Sequence, residues 1–315
     1  MSNPYLDPQR VRAALRALDL RPTRGMGQNF LVDGEALGAI VAAAELGPAD
    51  LVVEVGPGLG VLTWELTRRA GHTIAVELDR RLAARLRDEL PYAPLTIVEA
   101  DVLRVQPGEL LAAVDQRPKT KDQSAPAGQA QQGDVGPSSL VFGPRYKLVA
   151  NLPYAITSAV LRHFLEAAAP PELSVVLVQY EVAERITAGP GDLSVLAHSV
   201  QIYAEPELVA RVPAASFFPA PAVASAVLLL RRRPCLAVEV DSVDRLFRVI
   251  KAGFLHARKQ LGNSLPGGLA AMGHKLPREQ VQAALAAAGV APQRRAETLT
   301  LEEWAGLYEA LGPAL

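Results

Sequence analysis

Leu51-Val52-Val53-Glu54-Val55 runs straight into Gly56-Pro57-Gly58-Leu59-Gly60, and a helical pattern carrying Leu62 and Leu66 follows. A short apolar strand, a turn of glycines and a helix together open a nucleotide-binding βα unit. Such strands are apolar because helices cover a parallel sheet on both faces. The unit therefore constrains the whole chain toward an α/β architecture with further strands laid beside the first. Thr73 to Val76, Leu95 to Val98, Tyr146 to Ala150, Ser174 to Gln179, Leu208 to Val212 and Ala224 to Leu230 supply them. The run from Ser174 is nearly all Val and Leu, which predicts a central strand.

The glycine spacing narrows the ligand. The third glycine lies four residues after the first, whereas the dinucleotide fingerprint places it five after, where Val61 stands. That favours a nucleoside without pyrophosphate, such as S-adenosylmethionine, and disfavours a nicotinamide dehydrogenase. Gly56 and Gly58 would face the ligand. Glu77 ends the second strand at the distance where a carboxylate accepts ribose hydroxyls, and Leu78 beside it can cover an adenine face. Asp101 ends the third strand and can accept from an adenine amino group. Each acid, like Asp79, can equally cap the helix after it. Upstream, Thr23 to Leu31 reads as a loop in which Gln28 and Asn29 can satisfy polar atoms of a ligand.

Asn151-Leu152-Pro153-Tyr154 closes the fourth strand, at the sheet edge where α/β folds bind ligands. An amide, a stiff backbone and an aromatic face suit a flat base whose exocyclic nitrogen must become nucleophilic. The lone pair of adenine N6 is delocalised into the ring. Acceptors aimed at its two hydrogens, the Asn151 side-chain carbonyl and backbone carbonyls around Leu152, help localise it. Pro153 stiffens that backbone, and Tyr154 offers a stacking face for an extruded base. Phe218, between prolines, can stack on the opposite face. Taken alone, the four residues also describe an ordinary strand-end turn.

Residues 10–20 and a segment opening at Asp33 have helical spacing. From Pro234 the pattern becomes helices spaced by Leu246, Ile250 and Phe254, by Val281, Ala284 and Leu285, and by Trp304, Leu307 and Leu311. The expected division is 1–233 as the catalytic domain and 234–315 as a helical RNA-binding domain. Segment 115–140, rich in Gln, Ser, Gly, Pro and Ala, reads as a mobile low-complexity insertion. The net charge is −1, so any nucleic-acid contact must be local. Arg21, Arg24, Arg231 to Arg233, Arg245, Arg248, Lys251, Arg258 and Lys259 are the clusters available. The N-terminus shows no signal peptide and the chain no membrane-spanning run, so a cytoplasmic monomer is expected. The lone Cys235 excludes a disulfide framework and is read as a packing residue; the five histidines lack metal spacing, and no metal is expected.

The ordered set of motifs resembles the ribosomal RNA adenine N6,N6-dimethyltransferase family, in its small-subunit branch. Gly27 to Leu31, Val53 to Gly60, Glu77 to Asp79, Asp101, Asn151 to Tyr154, Gln179 with Glu181-Val182, Leu193 to Val195, Phe218 to Pro221 with Ser225 to Val227, Arg258-Lys259, Asn263 to Leu265 and Arg295 to Glu297 carry it. The resemblance implies a class I S-adenosylmethionine-dependent methyltransferase with a Rossmann-like sheet and a small C-terminal helical domain. It implies cofactor contacts from Asn29, Leu31, Gly56, Glu77, Asp101 and Asn151. It also implies dimethylation of two adjacent adenosines near the 3′ end of small-subunit (16S) rRNA, within a pre-ribosomal small subunit. The helical domain and Leu152 look like this branch rather than the sibling that methylates large-subunit RNA and confers macrolide resistance. Two departures stand out: Gly189-Pro190-Gly191-Asp192 is shorter than the family's usual loop, and the 115–140 insertion is unusual. The alternative is a non-catalytic ribosome-assembly factor that binds RNA and retains the fold.

Overall fold

The computed structural model describes residues 3–20, 29–115 and 145–312. Arg21, Arg24, Gln28 and the insertion beyond Asp115 lie outside them. In chain order the main elements are α1 (Pro8–Ala17), β1 (Phe30–Leu31), α2 (Gly34–Ala43), β2 (Leu51–Val55), α3 (Val61–Leu66), β3 (His72–Glu77), α4 (Arg80–Glu89), β4 (Leu95–Glu99) and α5 (Pro107–Asp115). There follow β5 (Lys147–Asn151), α6 (Thr157–Leu165), β6 (Leu173–Gln179), α7 (Tyr180–Thr187), α8 (Val195–Gln201), β7 (Ala204–Val212), β8 (Phe217–Phe218) and β9 (Ser225–Arg232). The chain closes with α9 (Val243–Phe254), α10 (Leu261–Ala271), α11 (Arg278–Ala287) and α12 (Leu301–Leu311).

Seven strands form one sheet in the order β4-β3-β2-β5-β6-β9-β7. All neighbours are parallel except β9, which runs antiparallel to both β6 and β7. From β2 the chain builds outward through β3 and β4, then returns to the other side of β2 with β5. The carboxyl ends of β2 and β5 therefore splay their loops apart and leave a crevice between them. The sheet is buried on both faces with period two: Val52, Val149 and Val175 face one core, while Val53, Leu148 and Val176 face another. β6 is paired on both sides and its strand interior is fully buried, as its composition predicts.

A third core belongs to α9–α12, around Trp304, which is fully buried. His198 from α8 meets Trp304 and Phe254 edge-on and ties this core to the sheet. The short loop at 189–192 docks there too: the Gly191 and Leu193 N–H groups donate to the Glu297 carbonyl at 3.0 and 3.1 Å. One helix was not foreseen, and two sequence expectations need revision. α10 carries Pro266 within it and gave no helical signal. Cys235 is exposed rather than packed. Arg245 is partly withdrawn from the surface: it pairs with Asp241 at 3.2 Å, lies over the Tyr308 ring and donates to the Gly312 carbonyl. None of the helices among the described residues is long and apolar enough to cross a membrane.

Candidate active site

The crevice at the β2–β5 switch is walled by the 56–59 turn, by Glu54 and Glu77, by Asn29 to Leu31, by Asn151 to Tyr154, and by Tyr5 and Val11 from the N-terminal segment. Gly58 shows why the turn needs glycine. Its φ is +58°, and a Cβ there would sit 3.2 Å from the Phe30 ring. Its N–H donates to Glu77 Oε2 at 3.1 Å, and the Asp79 N–H donates to Oε1 at 2.9 Å. Glu77 is thereby fixed at the end of β3 with lone pairs still open to hydroxyl donors. Burial nonetheless holds its carboxyl above the usual range.

Asn151 is oriented by a residue far away in sequence: its Nδ2 donates to the Asn29 carbonyl at 3.3 Å. With the amide N committed there, Oδ1 is the half left to accept. Leu152 is 1% exposed and lies against the crevice. Its N–H donates to the Leu177 carbonyl, and the next carbonyl, that of Pro153, is taken by Ile156 N–H and Thr157 Oγ1. Tyr154 Oη shares a 2.7 Å hydrogen bond with Ser225 Oγ, which pins the ring at the crevice wall. The Asn29 loop is held in turn by Val32 N–H to the Ser216 carbonyl, and by Asp33, which caps α2 and accepts from Ser216 Oγ.

Not every candidate residue lies on the wall. Phe218 pairs with Phe30 in the β1–β8 ribbon and is half-buried, with the Arg12 guanidinium 4.8 Å above its ring. Asp101 sits beyond the rim, where it caps the turn at Leu103 and pairs with Arg104 at 3.6 Å. A bond from Ala100 N–H to the Glu77 carbonyl keeps that strand end beside Glu77. Leu78 is 71% exposed at the lip. Gln28 lies outside the described residues. Sequence reasoning missed Glu54. It is 1% exposed, with Oε2 outside hydrogen-bond geometry to any partner, and burial pushes its pKa up to about 8, opposed by the neighbouring Thr63 and reinforced by Glu77. A lone charge inside an otherwise apolar strand was the available signal.

The family model described as "Ribosomal RNA adenine dimethylase" matches residues 21–312. The chain belongs to the ribosomal RNA adenine dimethylase family. It is 42% identical over 295 residues to a Dehalococcoides mccartyi protein named "Ribosomal RNA small subunit methyltransferase A", covering 93% of this chain and 90% of that one. A protein of the same name from Pelotomaculum thermopropionicum is 41% identical over 306 residues, covering 96% of each. Among solved structures, the 23S rRNA methyltransferase ErmE superposes with TM-score 0.62 at 31% identity, covering 90% of this chain and 99% of that one. A dimethyladenosine transferase from Plasmodium falciparum shares the fold, with TM-score 0.67 at 21% identity, covering 88% and 95%.

As a member of this family the chain is a methyltransferase whose methyl donor is S-adenosylmethionine. The crevice suits that cofactor. It is lined by two buried carboxylates, Glu54 and Glu77, and by no Lys or Arg among the described residues. Burial disfavours the charge on both acids, so a cation in the crevice would restore their ionised forms, whereas a pyrophosphate would oppose them. The unpartnered Glu54 oxygen calls for a donor or a positive charge. A dinucleotide would be poorly accommodated by the same groups.

Proposed function

We propose that this enzyme dimethylates N6 of two adjacent adenosines near the 3′ end of small-subunit (16S) rRNA. It would act as a cytoplasmic monomer on a pre-ribosomal small subunit during ribosome biogenesis. The observation that carries the reading is the Asn151 amide, turned by Asn29 so that its oxygen remains an acceptor on the crevice wall. The relatives named for the small subunit support that branch over the 23S branch of ErmE.

S-adenosylmethionine, when bound, supplies a methyl group on a positively charged sulfur. Gln28, Asn29, Leu31, Gly56, Gly58 and Glu54 would hold it, with Glu77 on the ribose and Leu78 and Asp101 at the adenine. Asn151 Oδ1 and the Leu152 carbonyl accept the two N6 hydrogens, localise the lone pair and aim it at the crevice. Pro153 keeps that backbone rigid. Tyr154 stacks on the base, and Phe218, held outside the crevice wall in the β1–β8 ribbon, would meet its opposite face. Catalysis is then positioning and electrostatic complementarity, with no covalent enzyme intermediate. Each transfer would leave a neutral thioether and a cationic N6, which gives up one hydrogen as a proton to solvent; after the first, N6 keeps a lone pair and one hydrogen, so one acceptor suffices for the second round. Residues 234–315 form the RNA-binding unit. Arg248, Lys251, Arg258 and Lys259 are exposed along α9 and the turn after it, and are suited to phosphates.

The test is Asn151→Ala, with calorimetric titration of cofactor and mapping of methylated nucleotides on unmodified small subunits. We expect methyl transfer to fall by roughly 10²–10³-fold, as when a transition-state hydrogen-bonding group is removed, with cofactor affinity retained within about tenfold. Wild-type turnover in the variant sinks the assignment. The assembly-factor alternative predicts RNA binding with no transfer by the wild type.

A further inference from the structure

A second aromatic–cation pair stands at the same sheet edge, outside the crevice. Tyr180 opens α7 directly after β6, and its N–H donates to the Ala224 carbonyl at 3.0 Å. The next residue, Ser225, holds Tyr154 and pairs with Gln179 on β6 and Val212 on β7. Arg211, beside Val212, carries its guanidinium over the Tyr180 ring at 4.5 Å. Arg211 is exposed and forms no ion pair among the described residues. Tyr180 is half-buried against the sheet core, so it backs the guanidinium and leaves the outer face of Arg211 to solvent. From β5 to β7 is three strand spacings, about 14 Å, which places Arg211 a few nucleotides from a base held at Asn151.

We propose that Arg211, positioned by Tyr180, is a second nucleotide subsite that takes a flanking base by stacking and its phosphate by charge. An arginine plane stacks any base without reading its edges, and single-stranded RNA offers unstacked bases to it. This rests on the rRNA reading above. A strand whose target base is turned into the crevice must be gripped on both sides, and an exposed cation braced by an aromatic ring does so at low entropic cost.

The full-length enzyme is assayed on unmodified small subunits with Arg211→Gln, Arg211→Lys, Tyr180→Leu and Tyr180→Phe. Subunit KM, kcat, the salt dependence of subunit binding and calorimetric cofactor affinity are recorded. Arg211→Gln should raise KM by about 5- to 150-fold, the range for one stacked base, with kcat and cofactor affinity held. It should also flatten the log–log salt slope by roughly 0.7, one single-strand phosphate. Arg211→Lys should keep the slope but not the KM. Tyr180→Leu should raise KM, and Tyr180→Phe should restore it. Unchanged KM and slope in Arg211→Gln overturn the subsite, as does an equal loss of cofactor affinity, which would mark a structural role. If the wild type transfers no methyl group to the subunit, it is the function reading that fails.

Discussion

Glu54 makes the cofactor-free protein's stability depend on pH in a direction opposite to that of most carboxylates. Burial raises its pKa from 4.5 to about 8, so the folded protein keeps the proton at neutral pH while the unfolded chain has released it. The stabilisation is complete below the unfolded pKa and is lost as pH rises through 8. One pKa unit corresponds to about 1.36 kcal/mol. Between pH 7 and pH 9 the loss from this one group is therefore about 1.4 kcal/mol. For a protein of 315 residues, whose unfolding entropy scales with length, that lowers Tm by roughly 2 °C. Glu54→Gln retains the shape and an uncharged polar head, so its Tm should lack this component. The assay is thermal unfolding of both proteins without cofactor at pH 6, 7, 8 and 9, scored as the difference between the curves. Parallel curves would refute the claim that Glu54 is protonated in the free crevice. A cationic ligand should favour the ionised form, so wild-type binding at pH 7 should release a proton that Glu54→Gln does not.

Four further outcomes follow from the packing and the surface charge. Gly58→Ala forces a side chain into a left-handed conformation, at about 1–2 kcal/mol, and against Phe30; cofactor titration should show roughly tenfold weaker binding. Gly268→Ala would put a Cβ 2.0 Å from the Ala252 carbonyl oxygen, where α10 crosses α9; the urea midpoint should fall by the equivalent of about 1–3 kcal/mol with cofactor affinity intact. Neutralising Arg248, Lys251, Arg258 and Lys259 to Gln should flatten the salt slope of subunit binding by roughly 0.7–0.9 for each phosphate left without its cation. Arg245→Gln should instead chiefly lower Tm, because that side chain braces Asp241, Tyr308 and Gly312.

What could be read from the chain was what is local. β2, its glycine turn and α3 are contiguous, and their residues announce the turn without help from the rest of the molecule. Asn151 was legible for the same reason: a polar amide and a proline ended an apolar strand. α10 was not, because Gly262, Pro266, Gly267 and Gly268 all lower intrinsic helix propensity. The helix forms there because close packing repays that cost: a Cβ at Gly268 or Gly262 would collide with Ala252 or Pro292. Local composition spoke for a loop, and tertiary packing decided otherwise.

The crevice itself shows the limit most clearly. Its acceptor is set by Asn29, 122 residues from Asn151, and its outer ribbon pairs Phe30 with Phe218. Neither pairing leaves a periodic trace in sequence. The charge of the cavity also emerges only on folding: Glu54 and Glu77 sit on adjacent parallel strands, and no basic side chain reaches the same wall among the described residues. Glycine spacing had pointed away from a pyrophosphate by a single residue's displacement. The folded wall reaches the same conclusion from residues that spacing does not involve: buried acids that a cation can ionise and a pyrophosphate cannot. Two independent physical reasons against a pyrophosphate thus meet at one turn, and the Glu54 titration tests the second of them without presuming the first.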